Sequence, residues 1–115
     1  MQHFIYKVCP AAAWRAAEAA GTFAGSADDI RDGYIHLSTF GQLPGTLARH
    51  FSGQADLVLV AFEAAALGGL LKWEPSRDGQ LFPHLYEALR VSRALWVEPL
   101  PLDVGGRHVL PKELR

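Results

Sequence analysis

The chain has 115 residues, a formal net charge of -1 and one cysteine, and half of its residues are hydrophobic. We expect a single domain, residues 1–115, folded around one core. The scattered basic residues argue against broad binding of nucleic acid or of an anionic membrane. One cysteine excludes an internal disulfide and a thiolate zinc cage. Since the sequence shows neither a signal-peptide pattern nor an apolar run of about 20 residues, we also expect a cytoplasmic protein.

The first part of the chain predicts a strand followed by a helix. Residues 3–8 alternate and are rich in aromatic and β-branched side chains, which is typical of a strand. Pro10 suits the first turn of a helix, and the alanine-rich run 11–20 ends at Gly21, which suits a left-handed cap. We expect Trp14 to anchor this helix in the core.

The small and acidic residues 22–31 show no sustained period and predict a surface loop. Within it, Ser26 is interpreted as a hydroxyl that stabilises a turn, with contact to a ligand as the alternative.

The most informative segment follows this predicted loop. Residues 34–38 alternate, with Tyr34 and His36 on one face of a predicted strand. Ser38 and Thr39 continue the polar side chains at the strand end, which indicates a floor for a polar ligand. The alternative is that His36 is a structural histidine that ties two elements together.

A second helix is predicted after this strand. Thr39 and Gln42 have the spacing of a capping box, and the apolar period continues until Gly53. Pro44 conflicts with a helix that begins at Thr39, so either the first turn is irregular or the regular helix begins near Pro44. His50 near the helix end is interpreted as favouring the helix dipole.

Strands dominate the remaining sequence. Residues 57–62 are apolar throughout and predict a central strand that is covered on both faces. Residues 81–86 place Phe82, His84 and Tyr86 on one side if extended, but Pro83 argues against a central, fully paired strand. Further strands are predicted at residues 70–74, 94–98 and, in a short closing segment, 107–110. Early helices and late strands indicate an α+β fold.

Polar and aromatic residues at the strand ends form the candidate site, because aromatic faces stack on a planar ring and polar tips orient it. The candidates are Tyr6, Lys7, His36, Ser38, Thr39, Trp73, Glu74, Arg77, His84 and Tyr86. Glu74 is the candidate catalytic carboxylate, or else a surface partner of Lys72 or Arg77. Since the spacing of His36, His84 and Glu74 matches no metal site, we predict no metal.

Two motifs carry a resemblance to a known family. Ile-His-Leu-Ser-Thr at residues 35–39 and Phe-Pro-His-Leu-Tyr at residues 82–86 resemble a bacterial family known as domain of unknown function family 952. The resemblance covers nearly the whole chain. More distantly, a first strand with a tyrosine, a helix that ends at glycine and the Ile-His-Leu-Ser strand resemble the start of the ADP-ribosyltransferase fold, especially in RNA 2′-phosphotransferases.

The distant resemblance implies an ADP-ribosylation-like fold, a mixed, split β-sheet with two main helices, and a small nucleotide-like ligand such as NAD or ADP-ribose. NAD would be a substrate, no cofactor is certain, and the bond acted on would be the nicotinamide glycosidic bond. In this scheme His36 and Ser38 hold the ribose and amide. Tyr86 or Trp73 stacks on the nicotinamide. Glu74 stabilises positive charge or orients the acceptor.

The sequence departs from that pattern in three respects, one of which is that the several arginines that RNA 2′-phosphotransferases use for phosphate have no match in it. Lys7 stands where such transferases commonly carry histidine or arginine, and neither Glu74 nor Glu87 matches the glutamate of their third motif by spacing. The alternative function is therefore a non-catalytic ligand-binding or interaction module on the same fold. The sequence leaves the oligomeric state open.

Overall fold

The structure is a computed structural model that describes residues 3–114. Its helices are α1 (Ala11–Ala20), α2 (Ala27–Asp32) and α3 (Leu43–His50). Its strands are β1 (Phe4–Pro10), β2 (Thr22–Phe23), β3 (Ile35–His36), β4 (Ser38–Thr39), β5 (Leu57–Glu63), β6 (Leu71–Pro75), β7 (Leu81–Leu85), β8 (Leu89–Arg90) and β9 (Trp96–Leu100). None of the helices in the described residues is long and apolar enough to cross a bilayer.

The strands form three antiparallel sheets. The largest has the order β4-β1-β5-β9, the second has the order β3-β7-β6, and β2 pairs with β8. The predicted α+β class is confirmed, but the expected mixed sheet is wrong, since every strand pair in the described residues is antiparallel. The short connection 76–80 joins β6 and β7 as an antiparallel hairpin. Strand β6 therefore lies in the sheet of β7 and not, as expected, in the sheet that contains β1.

The strand and helix predicted at the start of the chain are confirmed. Helix α1 ends at Gly21, which has a φ of +89° and donates its N–H to the Ala17 carbonyl at 2.7 Å. This left-handed conformation favours glycine, which has no Cβ to clash. Trp14 is 2% exposed and packs against the rings of Phe23 and Phe62, so it anchors the helix in the core as expected.

Strand β5 is central, as its apolar sequence predicts. It pairs with β1 along its whole length and with β9 on its other edge. One buried cluster, which includes Ile5, Val60 and Phe62, lies on one face of the sheet, and a second, which includes Leu43 and Leu59, lies on the other. The sheet is therefore covered on both sides, which explains why β5 shows no polar alternation.

The surface loop predicted for residues 22–31 is wrong, because this segment contains β2 and α2. Ser26 caps α2: its Oγ accepts the N–H of Asp29 at 3.3 Å, while Asp29 Oδ2 accepts the N–H of Ser26 at 2.9 Å. This reciprocal pair of hydrogen bonds is a capping box. It stabilises a six-residue helix that has no apolar period in its sequence. The fold therefore has a third helix where two were expected.

The strand predicted at residues 34–38 is divided in two. β3 pairs with β7, β4 pairs with β1, and Leu37 lies between them. The N–H of Leu37 bonds to the Pro83 carbonyl at 3.1 Å. In a strand, the N–H and the C=O of one residue point to the same neighbouring strand. Because the Pro83 carbonyl points to Leu37, at the break between β3 and β4, the N–H that Pro83 lacks would point there too. Contrary to the prediction, β7 is the central strand of its sheet. It is not fully paired, as predicted, since its pairing with β3 ends at His84 and Pro83 has no N–H to return to Leu37.

The second predicted helix is confirmed with an irregular first turn. Thr39 and Gln42 form a capping box around a short 3₁₀ turn, Phe40–Gln42, and α3 then begins at Leu43 with Pro44 in its first turn. The closing strand expected at residues 107–110 is replaced by a single bridge between Leu102 and His108.

Candidate functional site

A cavity of about 290 Å³ lies where β1, β3, β4 and β7 meet α2 and α3. Six of the ten predicted site residues line it: Tyr6, Lys7, His36, Ser38, Arg77 and His84. The other four, Thr39, Trp73, Glu74 and Tyr86, are not among the residues that line the cavity.

The base of the cavity is built around a buried ion pair. Lys7 and Asp29 are 4% and 2% exposed, and Lys7 Nζ lies 2.8 Å from Asp29 Oδ2. The ammonium also donates to the backbone carbonyl of His36 at 3.0 Å. A buried charge is tolerated only when it is paired and hydrogen-bonded, and here both charges are. This pairing accounts for a lysine on an interior position of β1.

His36 lies between two carboxylates. Its Nδ1 is 2.6 Å from Asp29 Oδ1, and its Nε2 is 3.0 Å from Asp32 Oδ2. The backbone N–H of His36 also donates to Asp29 Oδ1 at 3.0 Å. The side chain of His36 is 37% exposed and lines the cavity, while its contacts with the two aspartates hold the ring in place. His36 therefore makes structural contacts and also lines the cavity.

The two carboxylates around His36 are acidic. Burial alone would raise the pKa of Asp29, but the hydrogen bonds and charges of His36 and Lys7 outweigh it and hold that pKa well below the usual 3.8. The pKa of Asp32 is lowered mainly by its hydrogen bond with Arg31. Each ring nitrogen of His36 therefore has an aspartate oxygen as its partner, Asp29 at Nδ1 and Asp32 at Nε2.

Alternation along β4 separates its two hydroxyls. Ser38 is buried opposite Tyr6 of β1, lines the cavity and lies 2.9 Å from the Thr46 hydroxyl of α3. Thr39 has the other orientation and caps the 3₁₀ turn, so its role is structural rather than one of ligand contact. Tyr6 packs near Trp96, with ring centroids 6.0 Å apart.

Arg77 reaches the cavity from the turn between β6 and β7. Its guanidinium lies 4.8 Å above the ring of Phe82 and donates to the Gln42 carbonyl at 3.5 Å. His50 lies at the end of α3, as predicted, and also lines the cavity. Partial desolvation, followed by the charge of Arg77, lowers the pKa of His50, which weakens the interpretation of a cationic partner for the helix dipole.

Charges on the cavity wall are mostly paired internally. Asp29 pairs with Lys7, while Asp28 and Asp32 pair with Arg31 at 3.1 and 2.9 Å. Among residues 3–114, no carboxylate lies within ion-pair distance of Arg77. The same part of the chain contains no group of three or more His, Cys, Asp or Glu side chains that could hold a metal ion.

Glu74 and Tyr86 lie behind the cavity wall, against His84. Glu74 Oε1 is 2.8 Å from His84 Nδ1 and accepts the Tyr86 hydroxyl at 2.6 Å. Neither Lys72 nor Arg77 forms the surface pair with Glu74 that was the alternative interpretation. Trp73 lies one residue away on β6 and therefore on the opposite face, where it contacts His3.

Sequence reasoning missed Asp29 and Tyr34 as parts of the site. Tyr34 lines the cavity, and its ring stacks on His84 with centroids 4.0 Å apart and an interplanar angle of 27°. The signal for Asp29 was present, because Ser26 and Asp29 have the spacing of a capping box. The alternation that places Tyr34 on the face of His36 was recognised, but Tyr34 was not selected as a ligand contact.

The fold and the site define an antiparallel α+β protein with a polar cavity that rests on a buried Lys–Asp–His network. The chain belongs to the family described as protein of unknown function (DUF952), whose model matches residues 8–97. The family that the two motifs indicated is thereby confirmed. No curated protein matches the chain.

Solved structures of one bacterial protein are similar to this chain along most of its length. The crystal structure of protein CC0527 from Caulobacter crescentus is 50% identical, with a TM-score of 0.92 over 96% of this chain and 97% of that chain. The solution NMR structure of CC0527 is 52% identical, with a TM-score of 0.81 over 90% and 89%. The α+β fold with its antiparallel sheets is therefore shared with that protein.

Proposed function

We propose that this chain binds NAD, ADP-ribose or a related nucleotide in the cavity beside His36 and acts at the nicotinamide glycosidic bond. The observation that carries the proposal is the combination, in one cavity, of a cation without a carboxylate partner, Arg77, and an imidazole held between two aspartates, His36. In this proposal the sheets that contain β1 and β3 correspond to the two halves of an ADP-ribosyltransferase-like split sheet.

Arg77 supports an anionic ligand. Its positive charge is unpaired among the described residues, while the aspartates of the cavity are already paired with Lys7 and Arg31. A guanidinium presents parallel N–H donors that match phosphate oxygens, and the ring of Phe82 fixes its plane. We therefore assign the phosphate of the ligand to Arg77.

The cavity size supports a nucleoside-sized part of the ligand rather than a whole dinucleotide. About 290 Å³ is at the lower end of the range of about 300–1,000 Å³ that is typical of ligand pockets. Ser38 offers a hydroxyl for ribose hydroxyls or an amide, and the rings of His36 and Tyr34 line the same cavity. The remaining part of a dinucleotide would extend past Arg77 into solvent.

The position of Glu74 favours the second candidate function, a non-catalytic binding module. A carboxylate that stabilises a cationic ribose must approach it, but Glu74 does not line the cavity and is engaged by His84 and Tyr86. Binding and turnover must therefore be measured separately.

Calorimetric titration with ADP-ribose and with NAD tests binding, and the release of nicotinamide from NAD tests turnover. We expect His36→Ala to abolish binding and Arg77→Met to weaken it at least tenfold, on the order of one lost charge-assisted contact. Arg93→Met is the matched control, because Arg93 lies outside this cavity, and it should leave affinity unchanged.

The stability of His36→Ala separates a binding role from a structural one. Its backbone contacts with Lys7 and Asp29 survive the substitution, so we expect only a small loss of stability. A loss above roughly 3 kcal/mol with unchanged ligand affinity would identify His36 as structural and refute its role in binding.

A further inference from the structure

The imidazole of His84 is held rigidly. It belongs to the central strand β7 and is 3% exposed. The ring of Tyr34 stacks on it at 4.0 Å, and the ring of His36 meets it edge-on with centroids 5.7 Å apart. Two neighbouring rings and two flanking strands therefore fix the direction of each ring nitrogen.

One ring nitrogen of His84 is committed to Glu74. Nδ1 lies 2.8 Å from Glu74 Oε1, which also accepts the Tyr86 hydroxyl. The hydrogen bonds from Tyr86 and then His84 lower the pKa of Glu74, so the carboxylate is ionised near neutral pH. An ionised carboxylate only accepts hydrogen bonds, so Nδ1 of His84 carries a proton and donates it.

The other ring nitrogen is available. His84 Nε2 has no hydrogen-bond partner among residues 3–114. Among the same residues, only Trp14 Nε1 is a buried side-chain nitrogen or oxygen that has neither a hydrogen-bond partner nor contact with solvent. His84 Nε2 is therefore in contact with solvent, and the ring that carries it lines the cavity. In a neutral imidazole whose Nδ1 carries the proton, the lone pair lies on Nε2.

His36 cannot provide the same function. Its Nδ1 lies 2.6 Å from Asp29 Oδ1 and its Nε2 lies 3.0 Å from Asp32 Oδ2, so both nitrogens are already engaged. His36 and His84 thus differ in the partners of their ring nitrogens, and His50 is the third histidine that lines the cavity. Both nitrogens of His36 are engaged by carboxylates, whereas Nε2 of His84 has no partner among residues 3–114.

We propose that His84 Nε2 is the proton acceptor of this cavity and acts as general base on the water or hydroxyl that attacks the ribose, with Glu74 and Tyr86 as positioning residues. The proposal deepens the proposed function and rests on it. It also explains how Glu74 contributes although it does not line the cavity. The carboxylate acts through His84, because it fixes the tautomer of the imidazole and stabilises the imidazolium that forms.

The proposed step is balanced. The O–H proton of the acceptor moves to His84 Nε2, and the acceptor oxygen forms a bond with ribose C1′. The C1′–N bond breaks, and its electron pair leaves on the nicotinamide nitrogen, which becomes neutral. His84 then returns its proton to solvent. The charged or titratable side chains around this imidazole are Glu74 and Lys72 from β6, His36 from β3, and Tyr34 and Tyr86.

The first test needs no ligand. Imidazole ¹⁵N chemical shifts of the wild-type chain near neutral pH should show His84 with a protonated Nδ1 and an unprotonated Nε2. A protonated Nε2 with a bare Nδ1 would overturn the proposal, whether or not the chain binds a nucleotide.

The second test measures nicotinamide release from NAD together with ADP-ribose affinity. We expect His84→Gln to lower kcat by about 10²–10⁴-fold and to remove the rise of kcat with pH, since this is the usual contribution of a general base. Glu74→Gln should lower kcat by about 10–100-fold with little change in KM, which is typical of a lost positioning partner. Glu87→Gln is the matched control, because it makes the same change at an exposed glutamate outside this cavity, and it should behave as wild type.

The outcomes distinguish the two proposals. Failure of the wild-type chain to bind NAD and ADP-ribose refutes the proposed function, and the tautomer measurement then decides the acceptor role by itself. Binding without nicotinamide release supports the non-catalytic module and overturns the general-base role. Equal pH profiles of wild type and His84→Gln would overturn it as well.

Discussion

Replacement of Asp29 by asparagine tests the buried network under the cavity. Asp29 accepts hydrogen bonds from Lys7, from the ring and backbone of His36, and from the backbone of Ser26. Asparagine has nearly the same shape and retains one acceptor oxygen, but it has no charge. The Lys7 ammonium, whose side chain is 5% exposed, would lose its ionic partner and keep the His36 carbonyl.

We expect Asp29→Asn to destabilise the fold by about 3–5 kcal/mol, the usual cost of leaving one member of a buried ion pair uncompensated. Asp32→Asn is the matched control, because it removes the other carboxylate of His36 at a side chain that is 30% exposed. It should cost no more than about 1 kcal/mol. Urea unfolding at 25 °C, followed by tryptophan fluorescence and circular dichroism, measures both values.

The double variant Lys7→Met with Asp29→Asn separates charge from shape. With both charges absent, no ion is left unpaired, so we expect the double variant to be more stable than Asp29→Asn alone. A loss below about 1 kcal/mol for Asp29→Asn, or equal losses for Asp29→Asn and Asp32→Asn, would refute the reasoning, since burial would then have no energetic consequence.

The pH dependence of the Asp29→Asn effect has a defined sign. The pKa of Asp29 is lowered in the folded state, so its carboxylate stabilises the fold at pH values above the ordinary pKa of 3.8. This contribution is lost as the pH falls below 3.8 toward the folded-state pKa. The difference in stability between wild type and Asp29→Asn should therefore shrink as the solution is acidified below that value.

Two further substitutions test the core and the surface of the same fold. Trp14→Ala should cost about 3–5 kcal/mol in urea unfolding, and Trp14→Phe clearly less, because the indole N–H of Trp14 is buried without a partner; similar losses for both variants would contradict this. The hydrogen bond to Glu74, followed by desolvation, raises the pKa of Tyr86 from 10.0 to about 12. In Glu74→Gln the pKa of Tyr86 should fall toward 10.0 in an ultraviolet titration at alkaline pH, and an unchanged value would show that Glu74 does not hold this hydroxyl.

Local chemistry in the sequence determined several elements. The alanine run before Gly21 defined α1, and the apolar run 57–62 identified the central strand β5. Both signals are local: helix propensity with a left-handed cap in one case, and burial of both faces in the other. His36 and His84 were also found, because alternation with apolar neighbours does not depend on distant parts of the chain, whereas His50 was not selected although it lines the cavity.

The partners of the site residues were decided only in the tertiary structure. Lys7 meets Asp29 across 22 positions of sequence, and Glu74 meets His84 because the hairpin register places Lys72 opposite His84. Strand pairing has a period of two, so a shift of one residue would move Glu74 to the face of Trp73. Register depends on turns and on packing between sheets, which no local pattern records. The sequence therefore specified which side chains could carry chemistry, while the fold selected the carboxylate that holds each histidine.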